Sequence, residues 1–244
     1  MKTPTDGLRV LVLVSLWPIA AQAAPTGLNQ IPTTDLVPEK QVTLQLENGN
    51  TEVSGDASVF HQPQLEPQSE FGLPWNLETG LDVAPSNPPH DYRPIVNLKW
   101  SPLREDYYLP AVAAGIDQLG VGFSPNYFVV FSKTLNYEQI QYQKFRAHHR
   151  NIKLRGIRLH LGIMRTSNAW EALVGTDIEV SDHFVIWGDW ISGSANSVAL
   201  GGVLVVNQHL SVQASLLRGN DQDRLSGVLA AVTYTFDIFH PLDW

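Results

Sequence analysis

The sequence predicts an all-β protein, an antiparallel up-and-down transmembrane β-barrel of about twelve strands. Three observations predict it. Segments of about ten residues that alternate apolar and polar recur from position 41 to position 236. Several of them are joined by turns of very few residues. Past the N-terminus no apolar run is long enough to cross a bilayer as a helix, so a membrane location requires strands.

Residues 170–181 show the rule. Trp170, Ala172, Val174, Thr176, Ile178 and Val180 share one face, and Glu171, Leu173, Gly175, Asp177, Glu179 and Ser181 share the other. Side chains alternate along a strand, so one face is mostly apolar and the other carries three carboxylates. A soluble sheet would bury the apolar face under a second layer. A membrane barrel turns it to lipid and keeps the charges in its lumen.

The start of the chain has Lys2 and Arg9, an apolar run over 10–19, and Ala21-Gln22-Ala23. A charged start, a short apolar core and an A-x-A site predict a cleaved signal peptide over 1–23. There is no cysteine, which excludes a disulfide scaffold, a thiolate metal site and a cysteine-linked lipid anchor. The net charge of −8 argues against a nucleic-acid partner. No metal or cofactor motif is present.

Residues 24–40, APTGLNQIPTTDLVPEK, read as an extended periplasmic lead-in. The first strand covers 41–48, with Val42, Leu44 and Leu46 against Gln41, Thr43, Gln45 and Glu47, and Asn48-Gly49-Asn50 reads as a turn. Residues 51–72 hold one strand and a loop, or two short strands, because Pro63 and Pro67 break the alternation. Leu73-Pro74-Trp75 is a tight turn. Leu77, Thr79, Leu81 and Val83 then oppose Glu78, Gly80 and Asp82.

A Pro/Asn loop over 85–94 leads to a strand at 95–100, and residues 101–108 connect it to the next at 110–119. Residues 126–133 are a strand with two apolar faces, which leaves its orientation open. Residues 135–155 break the pattern as a basic insertion. It carries Lys144, Arg146, His148, His149, Arg150, Lys153 and Arg155, a surface for anionic polymer or lipid head groups. Alternation resumes with Ile157, Leu159, Leu161 and Ile163 against Arg158, His160 and Gly162. After 170–181 come strands at 183–192, 196–206, 209–218 and 226–236.

An even strand count puts both termini on one side. The tight links at Leu73, Ser181 and Asn207 then share that side, as periplasmic turns do, and the basic insertion falls there too. The inward charges form a lumen network of Glu78, Asp82, Lys99, Asp117, Arg158, His160, Glu171, Asp177, Glu179 and Asp189 that lines a narrow pore or plugs it. Trp100, Tyr127, Trp170, Phe184, Trp190, Tyr234 and Phe236 lie near strand ends on outward faces and predict two aromatic girdles.

Several stretches resemble a known family. Gly27-Leu28-Asn29-Gln30-Ile31-Pro32-Thr33-Thr34, the strand from 110 to 115, Tyr127-Phe128-Val129-Val130-Phe131-Ser132-Lys133 and Arg158-Leu159-His160-Leu161-Gly162 are similar to YjbH-like outer-membrane barrels. The resemblance implies a β-barrel in the Gram-negative outer membrane, associated with exopolysaccharide production or export. Outer-membrane lipid, polysaccharide and export-machinery proteins are the partners it implies. It brings no catalytic residues. The insertion over 135–155 departs from the family pattern, and so does the C-terminal extension past Phe236, where Phe239 or Trp244 can supply the terminal aromatic.

An enzyme is not expected. There is no G-x-S-x-G, and no serine among Ser211, Ser215 and Ser226 is singled out as a partner for His160. Two other readings stay open on the sequence alone. One is an outer-membrane lipid or ester hydrolase, and the other a secreted soluble β-sandwich that binds a ligand.

Overall fold

The computed structural model describes residues 27–28, 30–52, 64–86, 91–135, 156–194, 196–221 and 226–238. Twelve strands form a closed antiparallel barrel: β1 Gln41–Glu52, β2 Gln64–Leu73, β3 Leu77–Ser86, β4 Asp91–Leu103, β5 Ala111–Gly120, β6 Asn126–Thr134, β7 Ile157–Arg165, β8 Trp170–Ser181, β9 Phe184–Ile191, β10 Ser197–Val205, β11 Leu210–Gly219 and β12 Ser226–Asp237. Each strand pairs with its sequence neighbour, and β1 closes on β12 from Gln41↔Asp237 to Glu52↔Ser226. Closure leaves no sheet edge, so every strand finds a ladder partner on both sides without water.

The orientation of the faces separates a barrel from a sandwich. Val174, Leu161, Val212 and Val232 are 41%, 54%, 40% and 47% exposed, while Arg158 and Asp177 point into the lumen. A sandwich would bury those four aliphatics, so the soluble alternative is overturned. An apolar outside on a closed barrel is the surface that hydrocarbon requires. The aromatics mark its edges. Tyr127, Trp170 and Trp190 lie at one rim, and Trp100, Phe184, Tyr234 and Phe236 lie toward the other. The Arg165 guanidinium sits 5.8 Å from the Trp170 ring centroid at the first rim.

The links over 74–76, 182–183 and 206–209 lie on one rim, here the turn rim, with the N-terminal end of β1 and the C-terminal end of β12, and the link from β6 to β7 starts and ends there too. There a 3-10 turn, Pro74–Asn76, joins β2 to β3. Between β4 and β5, Asp106 Oδ1 accepts from the backbone N–H groups of Leu109 (2.7 Å) and Tyr108 (2.8 Å). Those bonds hold its carboxyl below the usual carboxylate range.

Two expected boundaries change. Asn48-Gly49-Asn50 is no turn. It continues β1, with Asn48 paired to Ala230 and Gly49 to Leu229, because the β12 ladder extends the strand beyond what its turn-forming residues favour locally. The expected loop over 85–94 shrinks to its middle, since Pro85 pairs with Tyr92 and Pro94 with Val83. The expected signal peptide, the basic residues of the expected insertion with His148 and His149, Phe239 and Trp244 lie outside the described residues.

Candidate functional site

The lumen holds its own N-terminal segment. Residues 30–40, expected to trail in the periplasm, pass up the barrel interior from the turn rim. Ile31 is 0% exposed and packs with Leu28 among Phe128, Val130, Met164, Leu173, Trp187 and Ile191. That cluster explains why β6 reads as apolar on both faces. Its outer face meets lipid, and its inner face meets the plug.

Two glycines mark how close the fit is. A Cβ on Gly175 of β8 would stand 2.6 Å from both Ile31 Cδ1 and Leu28 Cδ1. A Cβ on Gly72 of β2 would stand 1.9 Å from the Pro38 carbonyl oxygen, so only glycine lets the plug's stem run against the wall there.

Polar clasps fix the plug along its length. Near the loop rim, the Gln30 N–H donates to Asp189 Oδ2 (3.3 Å) and its amide bonds Ser197 Oγ at 2.7 Å. Toward the turn rim, at the start of β7, Arg158 Nη1 donates to both Asp35 oxygens at 2.7 Å, and its Nη2 to Thr34 Oγ1 at 2.8 Å. At the stem, the Val37 N–H donates to Glu78 Oε2 (2.7 Å), and Lys99 Nζ is 3.1 Å from Glu78 Oε1. Lys99 and Glu78 are directly opposed on β4 and β3 and are 0% and 1% exposed, so the pair is sealed from water.

Ser132, His160 and Asp177 form a relay across β6, β7 and β8. Ser132 Oγ is 2.8 Å from His160 Nδ1, and His160 Nε2 is 2.7 Å from Asp177 Oδ2. The residue types and distances are those of a nucleophile, a base and an orienting acid. Ser132 and His160 are both fully buried, however, and the Thr34 N–H lies 3.4 Å from Ser132 Oγ. The hydroxyl therefore faces the plug's backbone at Thr34.

The expected lumen network divides into parts. Glu78, Lys99, Arg158, His160, Asp177 and Asp189 clasp the plug or brace its clasps. Asp82 and Asp117 join Glu47 and Glu66 in an acidic patch on β1, β2, β3 and β5. Glu171 is half-buried at the loop rim. Glu179 is exposed at the turn rim, where β8 bulges between Glu179 and Ser181, so it lies outside the network.

In the acidic patch Asn97 Nδ2 donates to Asp82 Oδ2, and Gln45 Nε2 donates to Glu47 Oε2 at 3.1 Å. Neither oxygen of Glu66 is hydrogen-bonded among the described residues, although Glu66 is 0% exposed. Glu66 also stands directly opposite Glu47 in the β1–β2 register. No three His, Cys, Asp or Glu side chains among the described residues converge to hold a metal. Two buried carboxyl groups opposed across a ladder, one of them without a hydrogen-bond partner among the described residues, cost it stability. Glu66→Gln is therefore expected to raise barrel stability by about 1 kcal/mol, read from urea unfolding in lipid vesicles. A lower unfolding midpoint would show that the carboxylate is held by something this geometry omits.

Sequence reasoning missed Glu66, Ser132, Asp35 and Gln30. Ser132 was within reach, since Asn126, Phe128, Val130 and Ser132 share a face, and Asn126 and Ser132 mark that face as inward. Glu66 lay between two prolines that hid its strand.

Comparison with known proteins identifies fold but not family. No protein-family profile matches the chain, and no curated protein does. Among solved structures the KdgM porin matches with a TM-score of 0.50 at 7% identity, over 80% of this chain and 99% of that one. The translocator domain of the autotransporter NalP from Neisseria meningitidis matches with a TM-score of 0.40 at 8% identity, over 80% of this chain and 88% of that one. At such identities the likeness is one of architecture, the barrel of outer-membrane proteins.

Proposed function

We propose that this chain is a Gram-negative outer-membrane barrel kept shut by its own N-terminal segment, and that it serves exopolysaccharide traffic as a gated pore or export partner. One observation carries the reading: residues 30–37 run inside the lumen and are clasped from both ends by the inward side chains of Asp189, Arg158 and Glu78. A scaffold with a solid interior would need no separate segment threaded through it.

The exopolysaccharide role rests on the resemblance to YjbH-like barrels. Its support is that the resembling stretches meet in space. Leu28 and Ile31 of the first pack on Phe128 and Val130 of another, and Thr34 contacts Ser132 and Arg158. Export by a cleaved signal peptide over 1–23 belongs to the same reading. So does a non-enzymatic Ser132–His160–Asp177 relay, which acts as a clasp.

Planar-bilayer recording of the purified, heat-modifiable protein tests it. The wild type is expected to be silent or to open only rarely, and Asp35→Arg, which sets like charge against Arg158, is expected to open it often. A wild type that conducts steadily overturns the plug reading. Unchanged secreted exopolysaccharide in cells lacking the protein overturns the envelope role.

A further inference from the structure

At the turn rim, where the plug's stem leaves the lumen, lies a cavity of about 430 Å³. Its walls are the stem from Thr34 to Glu39, the β2–β3 turn, and Ser101 and Arg104 at the end of β4. Small-molecule sites span roughly 300–1,000 Å³, so the space holds a ligand of that kind.

The β2–β3 turn is built against its own local preference. Trp75 has φ 62° and ψ 29°, and Asn76 follows with φ 58°. Left-handed backbone suits Asn and Gly, whereas a bulky aromatic there is a costly outlier. Nothing in the packing compensates for it, because Trp75 is 83% exposed. Beside it, Arg104 Nη2 donates to Asn76 Oδ1 at 2.7 Å, which fixes a guanidinium on the same rim.

We propose that this pocket binds a neutral saccharide unit, with the Trp75 indole under the aliphatic face of the sugar ring and Arg104, Asp35 and Glu39 taking its hydroxyls. An indole is flat and apolar with a polar edge, and stacks well on a ring that is itself half apolar. A guanidinium donates and carboxylates accept, which matches hydroxyl groups that do both. Charges of both signs disfavour a simple anion or cation. The many polar wall residues disfavour an acyl chain. The inference deepens the envelope role proposed above by naming the ligand class, yet its test does not depend on whether the lumen opens.

The full chain, folded in lauryldimethylamine oxide so that no detergent sugar competes, is titrated calorimetrically with maltose, cellobiose and lactose. Saturable binding of at least one is expected. Trp75→Gly should weaken it about tenfold while keeping or raising the thermal midpoint, since glycine suits the left-handed turn. Arg104→Met should weaken it as well. No binding by any of the three sugars overturns the proposal. So does Trp75→Gly with undiminished affinity. A Trp75→Gly variant that loses thermal stability in lipid without losing affinity also overturns it, by making Trp75 an interfacial anchor. A channel that proves permanently open would end the plug reading and leave this titration intact.

Discussion

Lys99→Met is expected to cost the barrel about 3–5 kcal/mol, the loss typical when one partner of a sealed ion pair is removed. Lys99 and Glu78 face each other across the β3–β4 ladder with 0% and 1% of their side chains exposed and 3.1 Å between Nζ and Oε1. Methionine fills similar volume, so packing is nearly preserved and the charge effect stands alone. What it strands is the Glu78 carboxylate, whose other oxygen holds the Val37 N–H of the plug's stem. That bond does not replace the cation beside a buried carboxylate. The double variant Lys99→Met with Glu78→Gln removes the stranded charge and is expected to recover most of the loss. Urea unfolding in vesicles, followed by tryptophan fluorescence, reads both. A single variant within about 0.5 kcal/mol of wild type would mean that water reaches the pair.

The barrel was legible because its pattern is local. Each strand repeats with period two, and any inward residue implies the side of its neighbours. Leu161 and Val174 had to face one way once Arg158 and Asp177 faced the other. Lipid also makes the rule strict, since no outward polar group finds water there. Where a second surface covers the lumen face, the pattern blurs. Phe128 and Val130 point inward and are apolar because Ile31 covers them, and the strand alone carries no sign of a segment about a hundred residues away in sequence. The candidate site shows the same division. Glu78, Lys99, Arg158 and His160 could be placed on the inner face from alternation, but their partners Val37, Asp35 and Ser132 are chosen by how the plug enters. Gly175 and Gly72 likewise look like ordinary strand glycines until Leu28, Ile31 and Pro38 are set against them.

Ile31→Asp is expected to empty the lumen without unfolding the barrel. Ile31 is fully buried in the apolar cluster, and the side chains packed around it, such as Phe128, Val130 and Leu173, offer a carboxylate no donor. Burying an unpaired charge there costs several kcal/mol. The molecule can avoid that cost in two ways, by unfolding or by moving the segment that carries residue 31. Unfolding would break twelve paired strands. Releasing the plug would break its few clasps, of which the Asp35–Arg158 pair is part-exposed and weakly stabilising. The second route is cheaper, because residue 31 belongs to no strand and the β1–β12 closure begins only at Gln41. The variant should therefore keep its heat-modifiable band, expose residues 30–40 to added protease and conduct steadily in a bilayer. Ile31→Val, which removes one methylene and adds no charge, should stay protected and silent. An Ile31→Asp protein that remains folded, protease-resistant and silent would show that something other than this segment closes the barrel.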